Sequence, residues 1–454
     1  MSKSQRPDKA GKTKVDALEQ INLNAAGIDI GAEELYVAVP PDRDEESVQV
    51  FGSFTVDLYT LADWLKACRI DTVAMESTGV YWVPLYDVLE ECGFEVYLVN
   101  ARHLKNVSGR KTDVLDCQWI QQLHTYGLLS ASFRPNEDIR AVRSLVRHRE
   151  MLVQYRSSHI QHMQKALVQM NVRLTSVLSD ITGVTGMQII RAIVAGERAP
   201  KVLAAFRNHQ CAKSSQEIEK ALQGTYKREH IFALKQAVEL YDFYDHQIKA
   251  CDQELEALYQ QFDPPDTPGT PPPATRSGKP RKNQANFDLA QSLFQMTGVD
   301  LTQIDGLDAL TVQTILSITG FDMSSWPTAK HFASWLHICP NNKITGGKVK
   351  RRSTQPTQNR AAVALRIAAQ TLRRSDSALG AFFRRIRTQH GTPVAITATA
   401  HKLARIIYAM LKNRVPYHDP GATYFEEQHR EKTINYLKRR ANSLGFSLEP
   451  IASV

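Results

Sequence analysis

AAGIDIGAEELYVAVP, residues 25–40, determines how the N-terminal part of the chain folds. Its two apolar runs, AAGIDIG and ELYVAVP, are rich in strand-forming residues, which predicts two β-strands. Asp29 lies inside the first run, although a carboxylate among apolar residues costs free energy unless it is paired or binds a metal. The stretch therefore predicts a pair of strands with a functional acid in the first.

The same alternation of β-rich and helical patterns continues to about residue 133. It predicts strands at residues 48–56, 72–77 and 94–100, and helices at residues 56–68, at 83–92 and from Thr112 onward. Three strands in succession, followed by strand–helix alternation, predict a mixed sheet flanked by helices. We assign residues 24–133 to one α/β domain and interpret the polar residues 1–23 as a disordered basic arm.

The middle of the chain changes to a helical period. Apolar residues are spaced alternately three and four apart in two stretches, from Ile160 to Leu174 and from Ile231 to Phe262. Such seams predict a coiled coil within residues 134–262, formed either inside the chain or between subunits. An ordinary amphipathic helix explains the first stretch equally well.

The last part of the chain begins with a Pro-rich segment. Residues 263–285 are dominated by Pro, Gly and charge, which predicts an extended linker between two folded units. Residues 286–415 then show an all-helical pattern broken by one polar loop at 339–359, and a tail follows at 416–454. We expect a mostly α-helical C-terminal domain.

Composition narrows the class of protein. The 454 residues are 43% hydrophobic and 23% charged, which is typical of a globular protein with several domains. No apolar run approaches the roughly 18 residues that span a bilayer, so we expect a cytoplasmic protein without a membrane partner. The six cysteines are scattered and indicate neither a disulfide framework nor a zinc site.

Positive charge is concentrated near the C-terminal end. The net charge is +9, and residues 323–418 contain 17 Lys or Arg against one acid, Asp376. A polyanion such as a nucleic-acid backbone would balance this charge, whereas the plainer alternative is a solvated basic face that keeps the protein soluble. We expect a nucleic-acid partner.

Four acids of the α/β domain form a candidate metal site. Glu76 lies at the end of another predicted strand of the same domain as Asp29, and Asp113 and Asp116 lie three residues apart on one face of the last helix. Carboxylates suit Mg²⁺, and two such ions can assist phosphoryl transfer. Each piece alone is weak evidence, since sugar kinases and actin-like ATPases also open with Asp-x-Gly and helix N-termini attract acids. The ordered set favours the layout of RuvC-like nucleases.

Two further patterns indicate phosphate contacts. Residues 180–194 and 304–320 each place a Gly-containing turn before an apolar helix, like a helix-hairpin-helix motif; a plain helical turn explains the first equally well. The polar loop contains a Gly-Gly pair and a run of cations that are candidate nucleic-acid-binding residues: Gly346, Gly347, Lys348, Lys350, Arg351 and Arg352. Thr345, directly before the glycines, is interpretable as an N-cap, a phosphate hydrogen-bond donor or a nucleophile, and the residues alone leave these open.

These motifs together resemble one family. GIDIG, MESTGVYW, RKTDVLD and GGKVKRRST are similar to the motifs of the insertion-sequence "one-ten" family, the DEDD transposases related to the Piv DNA invertases. The resemblance spans about residues 24–415 and implies an RNase H-like (RuvC-like) domain, a coiled coil and a C-terminal transposase domain. It also implies excision and insertion of a circularised mobile element, guided by a structured non-coding (bridge) RNA that pairs with target and donor DNA.

The resemblance implies roles for individual residues. The family's Mg²⁺-binding acids fall on Asp29, Glu76, Asp113 and Asp116, and its serine nucleophile, directly before Gly-Gly-Lys, falls on Thr345. The extra methyl group of threonine restricts χ1 and crowds the approach to phosphorus. The chain is thus predicted to be a slower threonine variant or an inactive copy, with Ser353 as a fallback nucleophile and Tyr408 as a core residue. Homo-oligomers, in which the acids of one subunit meet Thr345 of another, are also implied.

Two other functions remain compatible with the sequence. A RuvC-like nuclease that hydrolyses DNA junctions with water would need the same acids but no Thr345. A nucleic-acid-binding scaffold that has lost catalysis would need neither.

Overall fold

A computed structural model describes residues 19–77, 79–100, 113–265, 271–272, 282–340, 342–346, 348–351 and 354–449. The side chains of residues 113, 343–344 and 348–351 are not part of this description. The chain forms two compact units that meet between Arg134 and Pro135. The predicted arm lies outside the described residues up to residue 18, as does most of the predicted linker.

The first unit is built on a five-stranded mixed sheet in the order β3-β2-β1-β4-β5. Strands β1, β4 and β5 are parallel, whereas β1–β2 and β2–β3 are antiparallel. The strands and helices are β1 Ala25–Ile30, β2 Glu34–Ala38, β3 Val48–Gly52, α1 Thr55–Ala67, β4 Thr72–Glu76, α2 Trp82–Glu91, β5 Glu95–Val99 and α3 Asp113–Thr125.

All the predicted elements of this unit are present, and the mixed sheet fits an α/β RNase H-like domain. The third strand is shorter than predicted, because the chain turns at Ser53 and α1 begins at Thr55. The Asp57 carboxylate accepts a hydrogen bond from Phe54 N at 3.2 Å, which satisfies a donor at the helix start.

Apolar side chains cover both faces of the sheet. On one face Ile28 and Met75 pack with Leu61 and Leu89 of α1 and α2, and all four are fully buried. On the other face Ala74 and Val99 pack with Ile120 of α3. Because side chains alternate along a strand, Asp29 shares the second face with Gly27, and this is the face that α3 covers.

Gly27 sets the distance between β1 and α3. A Cβ atom at Gly27 would lie 2.2 Å from Gln121 N and 2.4 Å from Cys117 O, both main-chain atoms of the helix. Real Cβ atoms do not approach backbone this closely, so only glycine allows the helix to lie directly on the strand.

We expect Gly27→Ala to lower the free energy of unfolding by about 1–3 kcal/mol, because the helix must move away from the strand. Urea unfolding followed by circular dichroism measures this change. Gly183→Ala is the control, since its Cβ would come no closer than 3.4 Å to Asp180 O. An unchanged unfolding midpoint for Gly27→Ala would contradict the close approach.

The second unit is mostly helical. Its helices are α4 Glu137–Gln169, α5 Leu174–Val177, α6 Val184–Ala195, α7 Pro200–Ala204, α8 Ser215–Ala221, α9 Arg228–Tyr259, α10 Leu289–Thr297, α11 Ala309–Thr319, α12 Ala329–Trp335, α13 Arg360–Thr371, α14 Ala378–His390, α15 Thr392–Asn413 and α16 Gly421–Ser443. Short 3₁₀ helices occur at Leu301–Gln303 and Leu372–Arg374.

The two longest helices, α4 and α9, pack antiparallel inside the chain. Arg149 pairs with Asp252 and Arg156 pairs with Asp245. The later residue of α4 thus contacts the earlier residue of α9, as antiparallel packing requires. Met163 and Leu167 of the first predicted seam and Leu234 of the second are buried in one cluster. The structure shows an intramolecular helix pair; supercoiling of the pair stays a prediction.

A buried ion pair ties these helices to the chain after the linker. Arg149 and Asp252 are 5% and 1% exposed and form two hydrogen bonds, one of them 3.2 Å long. Arg149 also donates to Asn283 O and Gln284 O, and Asp252 accepts from Asn286 N and Nδ2. Every charge in this group is therefore compensated, which buried charges require.

Side-chain contacts join the helices on the two sides of the Pro-rich stretch. The Pro-rich stretch was expected to separate two folded units, yet both sides of it belong to one unit. Arg143 on α4 donates to Ser317 O at 2.8 Å, and Tyr259 on α9 accepts from Gln313 at 3.1 Å. Side-chain contacts between distant parts of the chain are invisible to composition, and the predicted domain boundaries stay a prediction.

We expect Asp252→Ala to destabilise the protein by about 3–5 kcal/mol, because it leaves the Arg149 guanidinium buried without its counter-charge. Glu239→Ala on the same helix is the control: it removes an exposed pair with Lys235, 3.8 Å long, and should cost less than about 1 kcal/mol. Thermal unfolding of both variants tests the difference. Equal, small effects would show that the buried pair does not hold the helices together.

The C-terminal region contains the long helices α15 and α16. The predicted tail contains a 23-residue helix, α16, in which no side chain is buried. Helix α15 is long and apolar enough to cross a membrane by length and composition, and half of its most apolar 18-residue stretch is buried in the protein. A core helix meets the same criterion, and Leu403, Ala404 and Ile407 of α15 are fully buried against the protein.

Candidate active site

Two of the predicted acids lie side by side at strand ends. Strands β1 and β4 pair from Ala25↔Thr72 to Ile28↔Met75, and the next position in this register places Asp29 beside Glu76. Neighbouring strands are about 4.8 Å apart, and laterally paired residues of parallel strands point to the same face. Both acids are half-buried. The sheet therefore places the two acids side by side at the carboxyl ends of β1 and β4.

The start of helix α3 supplies the other two acids. Asp113 is the first residue of the helix, and Asp116 follows in the first turn and is half-buried. The buried Cys117 lies next to them: burial raises the pKa of its thiol to about 12, and the negative charges of Asp29 and Asp116 add to this effect. Because Asp29 and Asp116 act on the same sulfur atom, strand and helix place their carboxylates in one neighbourhood.

The donor set fits a hard divalent cation in its chemistry. Asp29, Glu76 and Asp116 offer carboxylate oxygens, the ligands that Mg²⁺ prefers, and the N-terminus of α3 adds a partial positive charge that favours anionic side chains. Among the described side chains, no group of three or more His, Cys, Asp or Glu is close enough to hold a metal. The Asp113 side chain is not among the described side chains, so the four-acid site stays a prediction.

Thr345 lies at the tip of a β-hairpin, where the sequence predicted an irregular loop. Strands β6 Lys343–Thr345 and β7 Lys348–Arg351 pair antiparallel, with Thr345 opposite Lys348. Two-residue hairpin turns need positive φ, and Gly346 has φ +58°. A Gly-Gly pair between a β-branched residue and an alternating strand is the signal that could have predicted this hairpin. The Thr345 side chain is exposed.

The other predicted phosphate-binding residues of this segment are only partly described. The structure places the backbone of Lys348, Lys350 and Arg351 in β7, and their side chains are not described. Gly347, Arg352 and Ser353 lie outside the described residues. The contribution of these cations to nucleic-acid binding stays a prediction.

The two predicted hairpin turns precede helices α6 and α11, as expected. Gly306 has φ +87°, and Asp308 is the N-cap of α11, where its carboxylate accepts a hydrogen bond from Thr311 N at 2.9 Å. This cap explains why an acid occupies position 308. Gly183 is the N-cap residue of α6. DNA contacts of both turns remain predictions.

Tyr408 is a core residue, as predicted. It is 5% exposed, and its hydroxyl donates to Trp326 O at 2.7 Å and accepts from Lys412 at 3.0 Å. The phenol therefore has structural partners on both sides and does not face a substrate.

Comparison with known proteins gives two family matches. Residues 26–172 match an IS110 DEDD transposase model, described as "Transposase", which includes the sheet with its strand-end acids. Residues 300–384 match a model described as "Transposase IS116/IS110/IS902 family", which includes the Thr345 hairpin. A comparison with curated protein sequences gives no match.

The two matched segments together make up about half of the chain, and they contain the acids and the threonine that the sequence analysis selected. Both segments lead to the same group of proteins, which confirms the resemblance drawn from the motifs. The chain belongs to the IS110 family of DEDD transposases, enzymes that act on DNA.

Proposed function

We propose that the chain excises and inserts a mobile DNA element by strand cleavage and rejoining, through a covalent bond between DNA and Thr345. The observation that carries this proposal is the position of Thr345, which is exposed and extended next to Gly346 at the turn of a hairpin in a basic segment. A nucleophile needs such access, since it must reach a phosphorus atom within a bulky duplex or junction. A structural N-cap would instead precede a helix, whereas Thr345 is the last residue of strand β6 and is followed by strand β7.

The reaction exchanges one phosphoester for another. The Thr345 Oγ1 atom attacks phosphorus, the P–Oγ1 bond forms, and the bond from phosphorus to the leaving 3′ oxygen breaks. The hydroxyl proton passes to solvent, and the released 3′ oxygen takes up a proton. In the rejoining step a 3′ hydroxyl of another strand attacks the same phosphorus and displaces Thr345. Phosphoester bonds are conserved, so no nucleotide cofactor is needed.

Asp29, Glu76, Asp113 and Asp116 are the residues that would hold Mg²⁺ in this enzyme. Bound Mg²⁺ supplies Lewis-acid stabilisation of the charge that develops on phosphate oxygens. The register of β1 and β4 and the shared influence of Asp29 and Asp116 on Cys117 support this assignment. Lys348, Lys350, Arg351 and Arg352 hold neighbouring phosphates, and Gly346 and Gly347 let the backbone approach them.

The family resemblance extends the proposal to the partners. A structured guide RNA selects target and donor DNA by base pairing, which leaves few base-reading side chains for the protein to supply. The enzyme works in the cytoplasm as a dimer or tetramer, in which the acids of one subunit serve Thr345 of another. The rival function, hydrolysis of DNA junctions by water at the same acids, produces no covalent intermediate.

The nucleophile is tested by trapping the intermediate. Purified protein with its co-purified RNA, cognate DNA and Mg²⁺ should give a protein–DNA adduct that survives denaturation. Thr345→Ala should abolish the adduct, Thr345→Ser should form it faster because the crowding methyl is removed, and Ser353→Ala is the matched control that keeps it. An adduct that persists in Thr345→Ala contradicts the assignment, and cleavage without any adduct favours the hydrolytic nuclease.

The metal site is tested without turnover. Mg²⁺ should raise the unfolding temperature of the wild-type protein, because a ligand that binds only the folded state stabilises it. The Asp29→Asn and Glu76→Gln variants should lose this increase. Glu34→Gln is the control, since Glu34 is exposed and accepts a hydrogen bond from the Tyr36 hydroxyl. Equal increases in all four proteins would refute the assignment.

A further inference from the structure

A cavity of about 370 Å³ lies between helices α14, α15 and α16. Its walls combine cations with aromatic rings: Arg385, Lys402 and Lys432 line it together with Tyr417, Tyr424 and Phe425. No carboxylate is among the lining residues, all of which the structure describes. A recess of this size matches sites that take small organic ligands.

Two of the cations, Arg385 and Lys402, are stacked on aromatic rings and have no acidic partner among the described residues. Lys402 Nζ is 4.8 Å and 5.0 Å from the ring centroids of Phe382 and Phe425, and Arg385 Cζ is 5.5 Å and 5.2 Å from the same rings. Within the described part of the chain neither cation forms a salt bridge, and Arg385 Nε is buried without a hydrogen-bond partner. Cation–π contacts offset only part of the cost of desolvating two like charges.

The nearest acid is already engaged elsewhere. Asp419 accepts hydrogen bonds from Ala378 N at 3.0 Å and from the Tyr417 hydroxyl at 3.4 Å. Burial and the charge of Arg385 lower the pKa of Lys402, although Asp419 opposes this effect. The site therefore has an excess of positive charge that an external anion would neutralise.

The outer wall supplies a surface for a planar ring. Tyr424 is 53% exposed at the cavity, and Phe425 lies next to it on α16. A phosphate at the cations and a base on the aromatic rings are the two halves of one nucleotide, and such a pairing is typical of proteins that bind unpaired strands. A base within a duplex is stacked on its neighbours and does not offer its face to a protein side chain.

We propose that this cavity binds one unpaired nucleotide of a single strand, with its phosphate at Arg385 and Lys402 and its base against Tyr424 and Phe425. This inference rests on the proposed function, because it assumes that the partner is a nucleic acid. It adds a site on the C-terminal helices that is separate from Thr345 and from the strand-end acids. RNA and DNA share the chemistry that the cavity recognises.

The test uses the full-length protein and fluorescent oligonucleotides of about ten nucleotides, oligo(U) and oligo(dT), with a duplex of the same length for comparison. Arg385→Gln combined with Lys402→Gln should weaken single-strand binding about tenfold and leave duplex binding unchanged. Arg387→Gln is the matched control, since it removes a cation of the same helix that does not line the cavity. A loss confined to oligo(U) identifies RNA as the source of the nucleotide, and one confined to oligo(dT) identifies DNA.

A second variant avoids effects on folding. Tyr424→Ala removes a half-exposed ring and should also weaken single-strand binding, while ultraviolet cross-linking of 4-thiouracil-substituted strands should label Tyr424 or Phe425. Single-strand binding that is unchanged in both the double variant and Tyr424→Ala overturns the inference. The adduct assay separates this result from failure of the proposed function: an active enzyme with unchanged strand binding refutes the cavity alone, and cavity binding without any adduct refutes the recombinase alone.

Discussion

The direct contact between helix α3 and strand β1 is the constraint on which the candidate active site depends. Gly27 lets the main chain of the helix lie against the strand, and Asp29 follows two residues later on the same face. A larger residue at position 27 would lift the helix, and Asp116 with it, away from the acids of the sheet. The family motif around Asp29 therefore combines two different features: a carboxylate that is proposed to hold Mg²⁺, and a glycine that packing requires.

The hairpin that presents Thr345 gives threonine a local advantage. Threonine is β-branched and favours extended backbone, so it suits the end of a three-residue strand better than serine does. In the proposed reaction the same methyl group would slow attack on phosphorus, because it crowds the hydroxyl. Under the proposed function, a well-ordered hairpin would compensate for this crowding of the Thr345 hydroxyl.

Much of the first unit could be predicted, because its strands and helices follow from local periodicity alone. Asp29 and Glu76 were selected since an acid at the end of an apolar strand is unusual, and the sheet pairs those strands. The hairpin at Thr345 was missed because its strands are only three and four residues long, so that the alternation of polar and apolar residues is too brief to stand out in a basic segment. The contacts of Arg149 and Asp252 across the linker, and the cation–aromatic cavity, join residues far apart in the chain and leave no pattern in a local window.

The antiparallel pair of α4 and α9 behaves mechanically as a rigid strut. Its 33-residue helix is about 50 Å long. One end is fixed by Arg143 to the carbonyl of Ser317 and the other carries the separate small core around Met163 and Leu234. Such a strut holds that small core at a fixed distance from the helices that follow the linker. Lengthening or shortening this helix pair would therefore change the spacing of these two parts of the unit without changing the contacts inside either part.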